Sequence, residues 1–290
     1  MDLPLVSVGL PIALAIVMFG LGMSLTPADF RRVATMPKAV LIALGLQLIV
    51  LPAVAFGLVV AFDLPGILAV GVMLLAASPG GTTANLYSHL FRGDVALNIS
   101  LTALNSVIAV VTLPIITNFA IWYFDAGEGT VGLQFDKVVT VFAIVLVPVA
   151  LGMVVRRFRH KLAERADKPV RIFSILVLAI VAIGALISEW SVIQPYLADV
   201  GWVVSLFCIL SLTIGYFASK AMRLGEAQAV ATAMEIGIHN TTIALTIAIS
   251  VLGSIVMAVP AAVYSIAMYI FATLFGFAIS RVRRRARAPQ

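Results

Sequence analysis

A single carboxylate, Glu235, falls within a long apolar run that covers residues 227–251. It opens the polar segment 235–242 (EIGIHNTT). An ionisable group at membrane depth costs roughly 3 kcal/mol on insertion scales, so a chain that keeps one there uses it for function. We therefore interpret Glu235 as part of an ion or substrate site. His239 has three open roles: a structural hydrogen bond, ion ligation through its carbonyl, or titration near physiological pH.

A second polar segment interrupts another apolar run at residues 78–85 (SPGGTTAN). Pro79 lacks a backbone N–H and clashes with the preceding helical turn, and Gly80 and Gly81 weaken the helix further. Backbone groups freed in this way are tolerated at membrane depth only where they are buried in protein or line a wet cavity. Interrupted spans at matching positions in two halves of a chain indicate the central site of a transporter.

Together, the two interruptions supply oxygen ligands that suit an alkali cation. They predict that Glu235 lies near unwound carbonyls, amides and hydroxyls, the side chains being those of Thr82, Thr83, Asn85, Asn240, Thr241 and Thr242. The N-termini of the half-helices carry partial positive charge and can face an anionic substrate. Neighbouring spans add Gln47 and a helical face on which Asn98 and Thr102 lie four residues apart, with Asn105 one turn further on.

The composition indicates a polytopic membrane protein of the all-α class. The chain is 62% apolar and 11% charged, whereas soluble domains carry about 25% charged residues. Since a span needs about 20 apolar residues, residues 1–290 are predicted to form one transmembrane domain of about nine helices. The predicted spans are 4–24, 38–61, 65–91, 95–124, 134–155, 170–188, 197–219, 226–252 and 255–280. Cys208 is the single cysteine, which excludes a disulfide framework.

The charges predict the orientation of these spans. All of the 19 basic residues except Lys137 fall in segments on one side of the predicted membrane. By the positive-inside rule, this side is cytoplasmic, so the N-terminus is outside and the C-terminus inside. Residues 281–290 form a basic cytoplasmic tail, interpreted as an anchor near anionic lipid. Four spans precede the long basic loop and five follow it, which favours an inverted repeat in which one half lacks a helix.

Several motifs resemble the bile acid:sodium symporter family along essentially the whole chain. The segments that carry the resemblance are 19–30 (FGLGMSLTPADF), 37–40 (PKAV), 78–90 (beginning SPGGT), 92–97 (RGDVAL) and 235–240 (EIGIHN). The resemblance implies a panel domain and a core domain, inverted repeats and two discontinuous helices that cross at the centre. It also implies a bacterial member located in the plasma (inner) membrane.

The resemblance also implies two sodium sites behind the crossing, with a substrate site in front of it. The first sodium site would use Ala84, Asn85, Asn98, Thr102 and Glu235. The second would use Gln47, Glu235, His239 and the carbonyls of Ile236 and Ile238. Substrate would bind against Thr82, Thr83, Asn240, Ser265 and Tyr269.

This chain departs from the family pattern at a few of these positions. The family often has Ser at the positions of Ala84 and Asn98, and Gln at the position of His239. Asn98 keeps an oxygen ligand, so the first site is retained. His239 has no amide oxygen, so the second site is expected to be weaker, absent or replaced by a proton. Met268 and Tyr269 stand where bacterial relatives that bind bile acids carry polar residues. The substrate of those relatives is therefore not assumed for this chain.

The leading hypothesis is a secondary active transporter that couples sodium to the symport of an organic anion by alternating access. The anion would be a small carboxylate or a bile-acid-like molecule. The expected partners are this anion, sodium ions and the lipid bilayer, with no cofactor, no nucleic acid and either a monomer or a homodimer.

Two further hypotheses stay open at this stage. A proton could replace sodium as the coupling ion, carried by His239 and Glu235. In the enzyme class, the same pair could serve acid–base or metal chemistry in an intramembrane hydrolase. Catalytic zinc usually has three protein ligands, and no further histidine is predicted at span depth. No enzymatic activity is therefore expected.

Overall fold

The computed structural model describes residues 34–124, 135–159 and 194–287, together with positions 12, 15, 16, 19, 20, 22, 23, 169, 172, 176 and 190. The described residues form helices, and Gly80 and His239 form an isolated β-bridge. The all-α class is confirmed on this part of the chain. The predicted spans 4–24 and 170–188 and the end of the tail at 288–290 fall mostly outside the described residues.

The first half of the described chain contains α1 Pro37–Ala61, α2 Gly66–Ala77, α3 Thr82–Leu90 and α4 Val95–Tyr123. α1 includes a π-helical turn at Leu46–Val50, which contains Gln47. Single π-helical turns of this kind are frequent at functional sites. Pro37 occupies the first position of α1, where its missing N–H would have no helical partner. Asp94 caps α4 by accepting a hydrogen bond from the backbone N–H of Leu97 at 3.0 Å.

The second half contains α5 Phe135–Phe158, α6 Leu197–Ala221, α7 Glu226–Gly237, α8 Thr241–Thr246 and α9 Val259–Arg287. α8 continues as a π-helical turn at Ile247–Val251, and a 3₁₀ turn at Val256–Ala258 precedes α9. The predicted ninth span ends at residue 280, whereas α9 runs on to Arg287. Arginine and alanine have high helix propensity, so the basic tail continues the helix beyond the apolar stretch.

Within the described residues, four helices are long and apolar enough to cross a membrane: Pro37–Ala61, Val95–Tyr123, Leu197–Ala221 and Val256–Val282. The interrupted helix α2 lies among them and is buried along residues 68–77. A helix that is apolar on all sides in this way is typical of the interior of a helical bundle. α7 packs against α3, α4 and α6, and α6 also packs against α9. The two interrupted regions therefore lie inside a frame of long helices.

Candidate functional site

The two helix interruptions meet at the centre of the bundle and are joined by backbone hydrogen bonds. α2 ends at Ala77, and Ser78, which precedes Pro79, takes the extended conformation that a residue before proline favours. The Gly81 N–H donates to the Ile238 carbonyl at 2.7 Å, and the Asn240 N–H donates to the Pro79 carbonyl at 2.8 Å. These bonds satisfy groups that the interruptions would otherwise leave unpaired, so each interruption stabilises the other.

The Glu235 carboxylate lies in the last turn of α7 and is completely buried. Its Oε2 accepts a hydrogen bond from the Thr102 hydroxyl at 2.6 Å, and its Oε1 accepts one from the Asn105 amide at 3.1 Å. Both donors come from α4, as the shared helical face predicts. The salt bridge within the described parts of the chain joins Lys220 and Glu226. Glu235 therefore has no basic partner among the described residues.

Two amide oxygens without partners lie on the face of α4 that donates to Glu235, and a third belongs to α3. The Nδ2 atom of Asn98 donates to the Ala231 carbonyl at 2.8 Å, which is one turn before Glu235 on α7. The Oδ1 atoms of Asn85, Asn98 and Asn105 are buried and accept no hydrogen bond from any described residue. A buried oxygen without a partner costs free energy, and hard oxygen ligands are what an alkali cation requires. We refer to Glu235, Asn98, Thr102 and Asn105 as the carboxylate side of the crossing.

Gly80 is held against this carboxylate. A Cβ atom at position 80 would overlap both oxygens and the carboxyl carbon of Glu235. A larger residue at position 80 would require the Glu235 carboxylate to move away from Thr102 and Asn105, which donate to it. The glycine therefore has a steric role at the site in addition to weakening the helix.

A second group of polar side chains is arranged around the Ser78 carbonyl. The Gln47 amide Nε2 donates to this oxygen at 3.0 Å, and His239 Nδ1 lies 3.0 Å from the same oxygen. Because a carbonyl only accepts, His239 Nδ1 carries the hydrogen. The imidazole stacks on Phe207 and meets the edge of Tyr264, each with ring centroids 5.5 Å apart. We refer to Gln47, Ser78 and His239 as the imidazole side of the crossing.

Two atoms of the imidazole side have no partner. The Oε1 atom of Gln47 and the Nε2 atom of His239 are buried and form no hydrogen bond with the described residues. Glu235 and His239 share no hydrogen bond with each other, since each has its own partners on a different side of the crossing. The two side chains therefore do not form a hydrogen-bonded acid–base pair.

The predicted substrate residues are distributed around the more open face of the crossing. Thr82 is exposed at the start of α3, and the Thr83 hydroxyl lies 3.5 Å from the Tyr269 hydroxyl. The Tyr87 and Tyr269 rings stack at 6.0 Å, and the Tyr87 hydroxyl lies 3.1 Å from the Thr273 hydroxyl. This face presents hydroxyl groups and aromatic rings.

Two other predicted substrate residues have local roles. Asn240 caps α8, and its side-chain oxygen accepts a hydrogen bond from the Ile243 N–H at 3.3 Å. The Ser265 hydroxyl donates to the Ala262 carbonyl of its own helix at 2.6 Å. Asn240 is half-buried at the crossing itself, whereas Ser265 has its hydroxyl turned toward its own helix.

Three of the predicted cation ligands have no side-chain oxygen. Ala84 is buried and has no side-chain oxygen. The Ile238 carbonyl already accepts the Gly81 N–H, and the Ile236 side chain packs on Gly215. The sequence-based ligand set did not include Asn105 or the Ser78 carbonyl. Asn105 could have been added from its position one turn beyond Thr102, whereas nothing in the sequence identifies the Ser78 carbonyl as a shared acceptor.

Tyr264 is another residue of the site that the sequence analysis did not select. It is buried, and its hydroxyl donates to the Gly237 carbonyl at the end of α7 at 2.9 Å. No group of three or more His, Cys, Asp or Glu side chains with the arrangement of a metal site occurs in the described residues. The chemistry of the crossing therefore rests on one carboxylate, one imidazole and several amides and hydroxyls.

Two interrupted apolar helices that meet over a buried carboxylate define the class of secondary membrane transporters. Comparison with known proteins identifies the family. The model of the sodium bile acid symporter family matches residues 11–195. The chain belongs to this family, as the motifs predict, and it is a multi-pass membrane transporter and not an enzyme. This excludes the hydrolase hypothesis.

Individual relatives extend the similarity along most of the chain. The uncharacterized sodium-dependent transporter YocS of Bacillus subtilis is 29% identical over 257 residues, which are 88% of this chain and 78% of YocS. The probable chloroplastic sodium/metabolite cotransporter BASS1 of Arabidopsis thaliana is 29% identical over 286 residues, 96% of this chain and 67% of that protein. The human ileal sodium/bile acid cotransporter is 28% identical over 246 residues, with 82% and 68% covered.

Proposed function

We propose that this protein is a sodium-coupled symporter of an organic anion, with its coupling site on the carboxylate side of the crossing. The observation that carries the proposal is the Glu235 carboxylate, which is fully buried and has no basic partner among the described residues. A buried charge needs compensation by an opposite charge and by ligands. Sodium would provide this charge and use the unpartnered oxygens of Asn85, Asn98 and Asn105, with Thr102 at the carboxylate.

The second cation site is proposed with lower affinity than the first. It would use Gln47, Glu235, His239 and the carbonyls of Ile236 and Ile238. The supporting observation is that the Ser78 carbonyl on the imidazole side is already occupied, because Gln47 and His239 both point an N–H at it. A cation on this side has fewer free oxygens available than a cation beside Glu235.

For the substrate we propose an organic anion, with a small carboxylate preferred. The names of the relatives describe a metabolite in one case and bile acid in another. The anion would lie at the start of α3 near Thr82 and Thr83, with Asn240 and Tyr269 beside it and Ser265 on the adjacent helix. The positive end of a helix dipole favours an anion, and Tyr269 brings a hydroxyl to within 3.5 Å of Thr83.

The transport cycle that we propose is alternating access by movement of a core domain against a panel domain. Sodium at the crossing would neutralise Glu235 and hold the two interruptions in one arrangement, to which the substrate then binds. Such binding shifts the conformational equilibrium only if sodium and substrate have different affinities for the two states.

The remaining parts of the proposal concern the membrane frame. We propose about nine spans in inverted repeats, in the inner membrane of a bacterium, with the N-terminus outside and the C-terminus in the cytoplasm. The turn that contains Arg92 lies beside the turn before α7, because the Asp94 N–H donates to the Ala227 carbonyl at 2.8 Å. This contact supports placing Arg92 and Arg223 on the same side of the membrane. The protein would act as a monomer or homodimer.

The test is uptake of carboxylates into proteoliposomes, with and without an inward sodium gradient. The unaltered protein is expected to accumulate its substrate only with the gradient, and Glu235→Ala is expected to abolish this accumulation. Uptake that needs no sodium and persists in Glu235→Ala would contradict the proposal.

A proton is the alternative coupling ion, and one observation favours it. The Nε2 atom of His239 is buried without a partner among the described residues, so it offers a lone pair in the site. In this alternative, a pH gradient drives transport and His239→Gln abolishes it. If His239→Gln transports with a stronger sodium dependence, sodium is the coupling ion.

A further inference from the structure

The polar residues in the interior of α7 form one stripe that leads away from Glu235. Gln228, Thr232 and Glu235 are spaced by four and three residues, which places them on one face of the helix. The stripe is about 10 Å long, because each residue adds about 1.5 Å to a helix. The face is turned toward α4, since Glu235 binds Thr102 and Asn105 of that helix.

Buried oxygens without partners accompany this stripe. Thr232, Asn98 and Ser88 are each fully buried, and the Oγ1 of Thr232, the Oδ1 of Asn98 and the Oγ of Ser88 accept no hydrogen bond from the described residues. The Nδ2 of Asn98 donates to the carbonyl of Ala231, the residue before Thr232, at 2.8 Å. Ser88 lies close to this part of α7. Gly93 packs against both residues, because a Cβ atom at position 93 would meet the Ser88 Oγ and the Ala231 backbone nitrogen.

The stripe ends at a closed turn near the surface. The Gly93 N–H donates to the Ser88 carbonyl at 2.7 Å, and the Asp94 N–H donates to the Ala227 carbonyl at 2.8 Å. Gln228 is half-buried there and accepts the Gly225 N–H at 3.3 Å, while Gly225 itself is exposed. The first of these backbone bonds closes the turn between α3 and α4, and the second connects this turn to the first turn of α7.

The opposite direction offers no comparable series of oxygens. Beyond Asn105, the Ser106 hydroxyl donates to the Thr102 carbonyl of its own helix at 2.7 Å. The next buried positions of α4 are apolar: Ala109, Val110 and Leu113. Over the described residues, unpartnered oxygens therefore follow closely on the Glu235 site in the direction of Gly225. Along α4 beyond Asn105, the next one is the isolated hydroxyl of Thr117, 12 residues further on.

We propose that this row of oxygens is the route by which the monovalent cation leaves the Glu235 site for the cytoplasm. The inference rests on the proposed function. The cation passes from Glu235 to Thr232 and Asn98, then to Ser88 and Gln228, and leaves when the turn at Gly93 and Asp94 separates from Ala227. Each hydroxyl or amide oxygen replaces part of the hydration shell that the ion lacks inside the protein. The closed turn keeps the route shut in the arrangement described above.

The first test separates passage of the ion from its equilibrium binding. Thr232→Val removes the hydroxyl while keeping the shape, and Thr232→Ser restores it. We expect Thr232→Val to lower the turnover rate of sodium-driven uptake about tenfold, because a contact between a polar group and a charge is lost from the passage step. The sodium concentration that gives half of the maximal thermal stabilisation of the purified protein is expected to change by less than about twofold. The reason is that Thr232 lies outside the proposed set of ligands around Glu235.

Thr117→Val provides the matched control. Thr117 is also a buried threonine with an unpartnered hydroxyl, but it lies 12 residues beyond Asn105 on α4, about 18 Å along the helix. Normal turnover in Thr117→Val and Thr232→Ser together with slow turnover in Thr232→Val supports the route. Equal turnover in Thr232→Val and Thr117→Val overturns it. If the unaltered protein shows no response to sodium, the proposed function itself fails.

The second test measures access to the route directly. Thr232→Cys, in a Cys208→Ala background, is treated with a small cationic thiol reagent applied to either side of oriented membrane vesicles. We expect modification from the cytoplasmic side that sodium slows, and no modification of Thr117→Cys in the same background. Modification of Thr232→Cys only from the outside, or no modification with or without sodium, would overturn the route.

Discussion

The two sides of the crossing contain similar numbers of polar groups but use them in opposite ways. On the carboxylate side, Thr102 and Asn105 donate to Glu235, and amide oxygens of Asn98 and Asn105 stay without partners. On the imidazole side, Gln47 and His239 donate to one carbonyl, that of Ser78. The first side therefore presents negative charge and two free amide oxygens. The second side presents one free amide oxygen, the Oε1 of Gln47, beside a carbonyl that two N–H donors already occupy.

Under the proposed function, this difference assigns the cation to the carboxylate side. The carboxylate side holds a buried negative charge whose hydrogen bonds come from neutral donors, so a cation adds the compensation that is missing. The imidazole side is held together without an ion, because His239 also stacks on Phe207 and contacts Tyr264. Under the proposed function, one ion-dependent contact and one ion-independent contact would join the same two interruptions.

The largest expected effect comes from forcing the carboxylate side apart. In Gly80→Ala the new methyl group would overlap the Glu235 carboxylate. Overpacking of this kind costs about 1–3 kcal/mol or more, and here it also displaces the ion ligand, so we expect complete loss of sodium-dependent uptake. Uptake into proteoliposomes and the thermal unfolding midpoint are the measurements.

Gly45→Ala is the control for this change, because a Cβ atom at position 45 of α1 meets no atom within 4 Å apart from the backbone of its own helix. It is expected to retain transport and to gain slightly in stability, since alanine is the better helix former by about 1 kcal/mol. Normal sodium-dependent uptake by Gly80→Ala would show that the close approach to Glu235 is not needed.

A smaller effect is expected when one donor to the carboxylate is removed. Thr102→Val deletes the hydroxyl that donates to Glu235 at 2.6 Å. Hydrogen bonds to charged groups contribute about 1.5–3 kcal/mol, so sodium should bind roughly tenfold to a hundredfold more weakly. The sodium concentration for half-maximal uptake is the measurement. Thr112→Val is the control, because the Thr112 hydroxyl donates only to the Ile108 carbonyl of its own helix at 3.3 Å.

The smallest expected effect lies on the imidazole side. His239→Gln replaces a ring that donates to Ser78 with an amide that can also offer an oxygen. We expect transport to persist and its dependence on sodium to become steeper, because the second cation site gains a ligand. The exposed His89 supplies the control, and His89→Gln should leave the sodium curve unchanged. Abolished transport in His239→Gln would instead favour the proton as the coupling ion.

Both interruptions and one complete helical face could be predicted from the sequence. Pro79 and the adjacent glycines determine where the first helix ends, since the causes are local backbone chemistry. The spacing of Asn98, Thr102 and Asn105 places them on one face, and two of them contact Glu235 in the structure. Periodicity and backbone chemistry act over a few residues, so their structural consequences can be recognised in the sequence without knowledge of the packing.

The partners of individual polar atoms could not be predicted in the same way. Sequence spacing does not show that Gln47 and His239 share the Ser78 carbonyl, because this contact joins groups from three separate segments. It also does not show that Ser265 donates to its own helix or that Tyr87 stacks on Tyr269. These choices depend on rotamers and on interhelical distances that only the packed bundle determines.

The most direct test of the central claim is the thermal stability of the purified protein in sodium and in potassium, compared with Glu235→Gln. Glutamine keeps the shape of the side chain but removes the charge that sodium compensates. We expect sodium to raise the unfolding midpoint of the unaltered protein, by an amount that corresponds to about 2.7 kcal/mol at 100 times the Kd. Potassium should give no such increase, and Glu235→Gln should respond equally to both salts. Sodium-specific stabilisation that survives in Glu235→Gln would contradict the assignment of the coupling ion to this carboxylate.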